Sequence, residues 1–586
     1  MNNIDEKYSY SVSNKRWAIR DVDNLKTAKL VQKLNISDYL ARYICSRGVD
    51  INKAELYLNP SLKEQIPSPF SILDMDKAIN RIIKAFIDKE TITIFGDYDV
   101  DGATASALLY RSFEEFGFNA SIYIPDRIKE GYGPNISAFN SLNKKGTNLI
   151  ITVDCGMTSF KEVDFAKSKN MDVIIIDHHA PEAKLPEATA VVNPNRLDDQ
   201  SGLGMLAAVG VAFMLVGALK IQLISDGYIS KSNAPKVSSV LDLVALGTIC
   251  DVVPLIGPNR AIVEKGLRVM AQKKNLGIKA LFDISEIEDF PKVFHAGFII
   301  GPRINAGGRV GESYLGSQLL ITKDENEAKN ISFRLNDLNE ERKMIELKVL
   351  NEARDMAEKQ KELNVLVLYG KNWHVGVIGI VASRIVELFN KPTIIISDNG
   401  EESKGSGRSI LGIDLGSLIT SAKQLGIIKQ GGGHPMACGL TIDISQVELL
   451  TTHLNNNVIN KISLSEDFYW VDIPISVKGA NVDILKQFKS AEPFGSGNPE
   501  PRFIIKNALI YNSKIVGENH IRCDISDTSN ARINGISFRS VGTSLGKELL
   551  DNNKMHLIGK LKLSEWNGKE QVQLHIEDAI SSDLAI

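Results

Sequence analysis

The sequence has few cysteines, no cysteine pair at metal-binding or redox spacing, and no excess of one charge. Its five cysteines are scattered over 586 residues, which excludes a disulfide framework and a zinc ribbon and fits a reducing compartment. Lysine plus arginine number 68 and aspartate plus glutamate 71, giving a net charge of −3. Bulk positive charge therefore cannot hold this chain on a polyanion, and any polyanion site must be a local patch.

Signals for ATP binding, secretion and membrane insertion are absent or weak. No GxxxxGK[ST] loop is present, so ATP use is not indicated, and the first ten residues lack the apolar core of a secretory signal. Residues 201–219 form an uncharged run near the lower length limit of a membrane span. Because the run contains four glycines and lies between two acidic segments expected to share one site, we interpret it as a buried core helix. We expect a cytoplasmic protein without membrane association.

Between residues 76 and 322, short apolar runs alternate with helical patterns. The runs are nearly continuous, as is typical of strands buried on both faces. This region is therefore predicted to be an α/β domain with a parallel, doubly wound sheet, whose sites lie at the carboxyl ends of the strands. The runs are TITIF (91–95), ASIYI (120–124), NLIITV (148–153), DVIIID (172–177) and AVVN (190–193).

The rest of the chain predicts three further domains and a connecting helix. Residues 1–75 are interpreted as a helical cap packing on the first α/β domain. Residues 323–363 contain neither glycine nor proline and predict one helix of up to ~60 Å, leading to a second α/β domain at 364–464. From residue 465 to 586 the pattern is of β-strands only. Five strands, with an Asn-Gly hairpin signal at 567–568, predict a small barrel of the OB-fold type.

Apolar runs that end in acids and histidines carry the main chemical signal. Because the carboxyl ends of parallel strands meet at one edge of a sheet, four such ends would gather their acids. Gathered carboxylates repel one another unless cations neutralise them, and oxygen ligands with one imidazole suit Mn²⁺ or Mg²⁺. The residues at these ends are Asp97, Asp99 and Asp101, then Asp154, then Asp177, His178 and His179, and finally Asp251 after LDLVALGTIC (241–250).

A simpler interpretation is that each aspartate is the N-cap of a helix after a strand, which is common in α/β proteins. That interpretation explains one or two of these acids. It does not explain four acidic ends together with an Asp-His-His triplet. We therefore predict a two-metal site.

The motifs GDYDVDG (96–102), VDCG (153–156), DHH (177–179) and the later isolated aspartate resemble the four motifs of the DHH phosphoesterase superfamily. Further stretches make the chain similar to the RecJ-type single-stranded-DNA-specific exonucleases over nearly its whole length. These are IPDRIKEGYG (124–133), GPRINAGGR (301–309), VGVIGIVASRI (375–385), GSGRS (405–409), GGGHPMACG (431–439) and PFGSGNPEP (493–501).

The resemblance implies roles for the acidic residues and histidines. His179 would contact the scissile phosphate or help the leaving group, and Asp97 and Asp177 would support the metal ligands. Many superfamily members have a histidine just before the first motif, where this chain has Phe95, so the first metal would be bound more weakly or through water. Two divalent ions would activate a water and stabilise the attacking and leaving oxygens. The implied metal ligands are Asp99, Asp101, Asp154 (bridging), His178 and Asp251.

Basic and glycine-rich motifs predict the contacts to substrate. A lone arginine is more often a solvated surface residue, but guanidinium groups in these motifs can fork onto phosphate oxygens. The resemblance points to Ser406 and Arg408 as the readers of a terminal 5′-phosphate. The glycine-rich loop at 431–434 would let backbone approach DNA closely, or would simply be a tight turn. The predicted substrate-binding residues are Arg127, Arg303, Asn305, Arg309, Arg384, Ser406, Arg408, Gly432, Gly433 and His434.

The C-terminal barrel is predicted to bind single-stranded DNA. Between Arg502 and His575 there are eleven lysines plus arginines against seven acids, a net charge of +4. Tyr511, Phe538 and Trp566 would form a platform on which bases stack. The alternative is a structural barrel with its aromatic side chains in the core.

Three hypotheses for function follow. The first is a 5′→3′ exonuclease that releases mononucleotides from single-stranded DNA in repair and recombination, with the polarity taken from the resemblance. The second is a DHH phosphodiesterase acting on short oligonucleotides or cyclic dinucleotides, against which the long helix and the barrel count. The third is an inactive scaffold like the DHH-derived replication factor of eukaryotes, against which the complete acidic set counts. We expect a monomer, and the resemblance implies a single-strand-binding protein and a helicase as partners.

Overall fold

The computed structural model describes residues 10–127, 129–458, 468–566 and 569–584. The strands are β1 (Arg16–Ile19), β2 (Ile92–Gly96), β3 (Ala120–Tyr123), β4 (Leu149–Val153), β5 (Asp172–Ile176), β6 (Ala190–Val192), β7 (Leu366–Lys371), β8 (Thr393–Asp398), β9 (Ser403–Arg408), β10 (Gln430–His434), β11 (Ala437–Ile442), β12 (Phe468–Val471), β13 (Ile473–Pro474), β14 (Phe503–Val516), β15 (His520–Ser526), β16 (Arg532–Ser537), β17 (Lys554–Trp566) and β18 (Lys569–Ser581).

The helices are α1 (Asn24–Leu34), α2 (Asp38–Ser46), α3 (Ala54–Leu58), α4 (Leu62–Gln65), α5 (Met75–Ile87), α6 (Val100–Phe116), α7 (Ile136–Lys144), α8 (Phe160–Ser168), α9 (Ala208–Ser225), α10 (Leu241–Cys250), α11 (Gly257–Met270), α12 (Leu276–Ile284), α13 (Gly301–Val310), α14 (Leu315–Ile321), α15 (Glu325–Lys359), α16 (Ile378–Phe389), α17 (Leu415–Gln424), α18 (Val447–Val458), α19 (Val482–Phe488) and α20 (Ser544–Leu550).

The chain forms two units, which we name by their sheets. The α/β unit comprises Ile66–Val253 and Ile262–Ser465. The barrel unit comprises Met1–Gln65, Pro254–Ala261 and Glu466–Ile586.

The first sheet of the α/β unit has the strand order β3-β2-β4-β5-β6, and every pairing in it is parallel. Each residue of β2 and β4 is buried, because helices cover both faces of the sheet. The predicted apolar runs therefore correspond to strands, within a residue or two. Since the strands are parallel, their carboxyl ends lie along one edge, which is where the acids follow.

Two apolar helices complete this sheet's surroundings. Helix α9 is long and apolar enough to cross a membrane by length and composition, but 67% of it is buried inside the protein, in agreement with the core helix predicted there. The sequence analysis treated residues 241–250, which lead to Asp251, as a fourth strand end. The structure shows that this run is helix α10, so the fourth acidic end follows a helix. A segment that is apolar on every side has the same pattern in a buried helix as in a buried strand.

Helix α15 has 35 residues, about 52 Å at 1.5 Å per residue, and leads into the second sheet as predicted. That sheet has the order β10-β11-β9-β8-β7, with only the β7–β8 pairing parallel. The motif GSGRS (405–409) lies largely in strand β9, and the stretch at 431–434, for which a glycine-rich loop was predicted, lies in strand β10. Glycine has low strand propensity, but here it permits close packing: a Cβ on Gly407 would lie 2.5 Å from Cys438 Sγ.

The barrel unit contains a closed barrel in which β14-β15-β16-β18-β17 is completed by a β14–β17 pairing. Two short helices, α19 and α20, interrupt a region that had been predicted to contain strands only. Strands β17 and β18 pair up to Trp566 opposite Lys569, while the predicted Asn-Gly turn at 567–568 lies outside the described residues.

The N-terminal helices pack in the barrel unit. Tyr43 of α2 is fully buried, with its ring 5.7 Å from that of Phe488 in α19, and β1 pairs with β12. The structure thus differs from the expectation of a cap on the first α/β domain. Amphipathic helices show in sequence that they need an apolar partner, but not which one.

Candidate metal centre and nucleic-acid interface

The turn after β2 brings three aspartates to the edge of the first sheet. Asp99 is the N-cap of α6, and its Oδ1 accepts a hydrogen bond from Gly102 N at 3.0 Å. Glycine is needed there because a Cβ on Gly102 would lie 2.6 Å from Asp97 O. The N-cap interpretation is therefore correct for Asp99, and it does not exclude a second role, because its Oδ2 is not used in this cap.

Asp101 is held by a second helix. Its side chain is 1% exposed, and its Oδ2 and Oδ1 accept from Ala208 N (2.7 Å) and Val209 N (2.9 Å) at the start of α9. The N-terminus of a helix favours a carboxylate through its free N–H groups and its dipole. This contact fixes the direction of Asp101 and explains why an apolar helix begins beside an acidic centre.

Asp154 follows β4 with a φ of 61°, in the left-handed region. Its carbonyl oxygen accepts a hydrogen bond from the Tyr132 hydroxyl at 3.0 Å. Its Oδ1 lies 3.4 Å from His178 Nε2 and 3.9 Å from His179 Nδ1. The unusual backbone turns this carboxylate towards both histidines.

The Asp-His-His triplet after β5 is organised by its first residue. Asp177 Oδ1 accepts from His178 N at 2.7 Å, from His179 N at 3.1 Å, and lies 2.7 Å from His179 Nδ1. His178 Nε2 points to the other acids, 3.6 Å from Asp251 Oδ2 and 3.9 Å from Asp101 Oδ2. Both imidazoles thus lie near Asp154 Oδ1, but Asp177 holds the ring of His179, whereas Asp101 and Asp251 lie near the ring of His178.

Two asparagines that the sequence analysis did not single out hold the backbone of this triplet. Asn193 Nδ2 donates to His179 O at 2.8 Å, and Asn195 Nδ2 donates to His178 O at 2.5 Å. Asn193 directly follows β6, the last strand of the sheet. Asn193 could have been found from the sequence, because it is the polar residue at the end of a further apolar run, AVVN (190–193).

Gathering these acids is electrostatically unfavourable. Burial, and then the Asp99 charge, raises the pKa of Asp97 to about 8 and that of Asp251 to about 7. Burial and the neighbouring carboxylates also raise the pKa values of Asp101 and Asp154 well above the ordinary range. Opposite charges can stabilise each other in a buried site. Several buried carboxylates of the same charge instead destabilise the fold until a cation binds between them.

The two histidines have opposite shifts. Burial and the neighbouring His179 lower the pKa of His178 to about 4, so this imidazole is neutral and its Nε2 can be a ligand. The hydrogen bond to Asp177 raises the pKa of His179 to about 9, so this imidazole is a cation at neutral pH.

The donor set fits divalent cations. Asp97 Oδ1, Asp154 Oδ1 and His178 Nε2 are buried without a hydrogen-bond partner. Three groups have ligand atoms within 4.8 Å of one another, and Asp154 belongs to two of them: Asp97, Asp99 and Asp154; Asp101, His178 and Asp251; Asp154, His178 and His179. The five residues predicted as ligands all occur in these groups, and Asp97 joins them as a candidate ligand. Oxygen-rich sites with one imidazole suit Mn²⁺ or Mg²⁺.

Phe95, at the position where many superfamily members have a histidine, belongs to the hydrophobic core. It is fully buried, with its ring 5.2 Å from that of Tyr123 and 5.7 Å from that of Phe139. The side chain at position 95 therefore packs in the hydrophobic core and supplies no metal ligand.

Arginine and asparagine side chains surround the turn after β2. Arg127 lies over the ring of Tyr98 at 4.9 Å, and Arg309 donates to Gly376 O at 3.1 Å. Burial and the nearby Arg127 and Arg342 lower the pKa of Arg309 to about 10. Asn305 Oδ1 accepts from Val100 N at 3.1 Å, so this residue supports the acidic turn.

Arg303 and Arg384 have protein partners in the structure. Arg303 Nε donates to Asn336 Oδ1 at 3.1 Å. Arg384 is half exposed and forms an ion pair with Glu387 at 3.0 Å, with Glu346 at 3.8 Å. Both were predicted to contact substrate, and for Arg384 the simpler interpretation of a surface arginine beside acids agrees better with this geometry.

Ser406 and Arg408 come together on the second sheet. Arg408 Nη1 lies 3.3 Å from Ser406 Oγ and 2.8 Å from Gly407 O. A Cβ on Gly379 of α16 would lie 3.0 Å from Ser406 Oγ and 3.2 Å from Arg408 Nη2, so glycine leaves these groups accessible. On the edge strand β10, which β11 separates from β9, a Cβ on Gly432 would meet open space, whereas His434 Nδ1 accepts from Met436 N at 3.3 Å.

The barrel presents an exposed aromatic and basic surface. Phe538 is 52% exposed, and the rings of His520 and His575 lie 5.2 Å and 5.1 Å from it, edge to face. It lines a surface cavity of about 550 Å³ with Lys560 and Lys562. Tyr511 is half-buried beneath Arg532, and the side chain of Trp566 lies outside the described residues.

Comparison with known proteins agrees with this architecture. Residues 91–248 match the DHH family, N-terminal domain, residues 362–460 the DHHA1 domain, and residues 471–578 the RecJ OB domain. The single-stranded-DNA-specific exonuclease RecJ of Bacillus subtilis is 34% identical over 97% of this chain and 71% of its own length. That of Escherichia coli is also 34% identical, over 95% of this chain and 98% of its own length.

Solved structures extend the agreement to three dimensions. The crystal structure of RecJ in complex with Mn²⁺ from Thermus thermophilus has a TM-score of 0.82 and 25% identity, covering 96% of this chain and 79% of that chain. A crystal structure of exonuclease RecJ bound to manganese has a TM-score of 0.57 and 31% identity over 66% of this chain and 95% of that chain. The predicted fold class, two α/β domains followed by an OB-type barrel, is confirmed.

Proposed function

This chain belongs to the RecJ family of DHH phosphoesterases, and from that premise we propose that it is a metal-dependent exonuclease that degrades single-stranded DNA from the 5′ end. The observation that carries the proposal is the meeting of Asp101, Asp154, His178 and Asp251 around unpartnered buried ligand atoms. The manganese complexes solved for its relatives agree with the chemistry of these donors.

The residues that would hold the ions are Asp99, Asp101, Asp154, His178 and Asp251, with Asp154 shared between the two. The ions, when bound, supply an activated water and neutralise charge on the attacking and leaving oxygens. Asp177 keeps His179 protonated and occupies its Nδ1, which leaves Nε2–H free to donate to a phosphate oxygen or to the leaving group. Half of the His179 side chain is exposed, so substrate can reach it.

One digestion tests the activity and its direction. A fifty-nucleotide single strand labelled at either end is incubated with Mn²⁺, and early release of mononucleotide from the 5′ label alone is expected. Early release from the 3′ label alone would refute the polarity. Faster turnover of a dinucleotide or a cyclic dinucleotide than of the long strand would favour the second hypothesis, a phosphodiesterase for short substrates.

We propose that Ser406 and Arg408 bind the terminal 5′-phosphate. A terminal monoester carries nearly one more negative charge than an internal diester, and a half-buried guanidinium beside a hydroxyl can read that difference. Among the residues that the structure describes, Arg408 has no acidic partner within ion-pairing distance, unlike Arg384. Arg127, Arg303 and Arg309 are proposed as the further phosphate contacts.

Arg408→Ala is expected to reduce the preference for 5′-phosphate over 5′-hydroxyl strands by about ten- to a hundredfold, the value of one set of charged hydrogen bonds. Competition between the two strands measures it. Arg384→Ala is the matched control, since this arginine already pairs with Glu387. If the Arg408 variant discriminates fully between 5′-phosphate and 5′-hydroxyl strands, strand β9 does not form the 5′-phosphate site.

We propose that the exposed face around Phe538 holds the strand outside the metal centre. Stacking of one base on an aromatic ring contributes about 1–3 kcal/mol, so Phe538→Ala is expected to weaken binding to a fifty-mer by that amount. Hydrolysis of short strands should change little. Leu509→Ala, at another exposed apolar position of the barrel, is the control and should leave both properties unchanged. Equal losses on long and short strands in the Phe538 variant would indicate a folding role instead.

We also propose the wider setting of the enzyme: a cytoplasmic monomer acting in DNA repair and recombination, with domain boundaries at 76–322, 323–363, 364–464 and 465–586. An enzyme limited to single strands needs a helicase to open a duplex and must act on strands covered by a single-strand-binding protein. Blunt duplex should therefore resist digestion until a helicase is added. Sedimentation velocity tests the monomer.

A further inference from the structure

The barrel unit has a second surface cavity, apart from the one around Phe538. Its volume is about 450 Å³, within the range of about 300–1,000 Å³ that small-molecule sites occupy. None of its lining residues lines the Phe538 cavity, and the proposed nuclease chemistry does not use it. Six side chains with polar groups line it: Asn481, Tyr511, Asp524, Arg532, Asn534 and Gln571.

Three of these side chains form one row across neighbouring strands. Tyr511 of β14 lies opposite Asp524 of β15, and Asp524 lies opposite Asn534 of β16. Residues directly opposite each other in paired strands have their side chains on the same face of the sheet. Because Cys523 and Ile525, on either side of Asp524, are buried in the barrel core, this row faces outward. The cavity therefore lies on the outer face of the barrel.

Asp524 offers a free hydrogen-bond acceptor to this cavity. Its Oδ2 accepts from Asn512 Nδ2 at 2.9 Å, which holds the carboxylate in place. Its Oδ1 has no hydrogen bond or ion pair with any residue that the structure describes. Since an ionised carboxylate can only accept, the cavity selects a ligand that carries an N–H donor at this point.

Potential donors lie beside this acceptor. Asn534 Oδ1 accepts from Arg522 Nη2 at 3.4 Å, which leaves the Asn534 Nδ2 to donate elsewhere. Arg532, two residues earlier on the same face, lies 5.7 Å from the centre of the Tyr511 ring and has no ion-pair partner in the described part of the chain. The Tyr511 hydroxyl is buried and, within the described ranges, has no hydrogen-bond partner. Such a hydroxyl in a cavity wall can bond a polar ligand atom.

A cytosine base matches these groups. Its amino group N4–H₂ donates, and acidic side chains accept from this group where proteins read DNA. The ring nitrogen and the carbonyl oxygen of cytosine accept, as the Asn534 amide requires. Thymine and uracil present the carbonyl oxygen O4 in place of the amino group, so an acceptor would face the Asp524 carboxylate. Cytosine and uracil have nearly the same size, so the carboxylate separates them and the shape of the cavity does not.

We propose that this cavity binds one base of the single strand and prefers cytosine to thymine or uracil. Asp524 accepts from the amino group, Asn534 donates to the base, and Arg532 binds a neighbouring phosphate. Phe538 follows β16 directly and is four residues beyond Asn534, about 13 Å along an extended chain, so one strand of DNA can contact both cavities. The inference rests on the proposed binding of single-stranded DNA by the barrel unit. Stacking on Phe538 tolerates every base, whereas this cavity adds a base preference.

The test measures binding by the full-length protein in EDTA, which prevents metal-dependent digestion. Fluorescence anisotropy gives the dissociation constants for twenty-nucleotide strands of deoxycytidine and of deoxyuridine. Asp524→Asn keeps the size of the side chain and can still accept from Asn512, but it offers the base a donor as well as an acceptor. Asp551→Asn is the matched control, because it removes the same charge from an exposed acid of the barrel unit that does not line the cavity. Arg532→Gln tests the phosphate contact.

A hydrogen bond to a charged group corresponds to about tenfold or more in affinity. The wild-type protein should therefore bind the deoxycytidine strand about tenfold more tightly, and this ratio should fall to near one in Asp524→Asn but not in Asp551→Asn. Arg532→Gln should weaken binding to both strands by the same factor, because phosphate contacts do not read the base.

Equal affinities of the wild-type protein for the two strands overturn the base preference, and this comparison needs no variant. A wild-type ratio in Asp524→Asn, or an equal loss of the ratio in Asp551→Asn, overturns the role of Asp524. Binding of neither strand by the wild-type protein would instead overturn the proposed binding of single-stranded DNA.

Discussion

Asp154→Asn is expected to abolish Mn²⁺-dependent digestion while making the metal-free protein more stable. Asparagine is nearly isosteric and tolerates the left-handed φ of 61° at this position, so the fold should be retained. Loss of Asp154, the proposed shared ligand, would forfeit several kcal/mol of charge stabilisation, which corresponds to a decrease of at least ~10³-fold in kcat. Stability should rise because burial and neighbouring carboxylates raise the pKa of Asp154 well above its ordinary range, which makes the charged form costly.

Single-turnover digestion and thermal unfolding, each with and without Mn²⁺, measure both effects. Asp242→Asn provides the control: burial raises the pKa of Asp242 to about 6, and it lies on α10, the same helix that leads to Asp251. This variant should also stabilise the protein but keep full activity. A lost Mn²⁺-induced rise in melting temperature must accompany the loss of activity in Asp154→Asn. Retained digestion by that variant would rule out Asp154 as a shared ligand.

The strands of the first sheet were predictable because a strand buried on both faces has a nearly continuous apolar sequence. Strands β2, β4 and β5 are continuous apolar runs, and each ends directly before its acids. Such an apolar run is ambiguous where a helix is buried on all sides, because a fully buried helix such as α10 has the same apolar pattern as a buried strand. It is absent where glycine dominates, as in β9 and β10, since their stability comes from cross-strand pairing and not from local propensity.

The candidate site was predictable in its composition but not in its supporting contacts. Acids after successive parallel strands must meet, so spacing alone brought Asp97, Asp154 and His178 together. Spacing could not show that Asp101 caps α9, because Ala208 lies 107 residues further along the chain. Nor could it show that Asn305 supports the turn after β2, since that contact spans 205 residues. Such contacts are set by the tertiary fold.

Metal-free protein is expected to lose stability as the pH rises from about 6.5 to about 8. The pKa of Asp251 is about 7 and that of Asp97 about 8 in the folded protein, against about 3.9 in an unfolded chain. The folded state therefore binds more protons across this range, and stability falls as they are released. His179, whose pKa is raised to about 9, acts in the same direction as the four raised carboxyls. His178, with its pKa lowered to about 4, acts in the opposite direction, as do four histidines outside the cluster whose pKa values burial lowers: His295, His374, His556 and His575. The raised groups dominate above about pH 6.5, where an unfolded histidine has itself lost its proton. Thermal unfolding in EDTA at several pH values measures this slope.

Mn²⁺ affinity should show the opposite dependence, because a carboxyl group must lose its proton before it can bind a metal. Because burial and the Asp99 charge raise the pKa of Asp251 to about 7, most of this carboxyl is protonated at pH 5, and Mn²⁺ binding should weaken about tenfold or more from pH 7 to pH 5. An ordinary aspartate is almost fully ionised at both pH values and would change the Mn²⁺ affinity by only about a tenth. The rise in melting temperature produced by a fixed Mn²⁺ concentration should therefore grow from pH 5 to pH 8, and calorimetry should detect proton release on binding. A rise that is the same at both pH values would mean that the carboxyl groups are already ionised before the metal arrives.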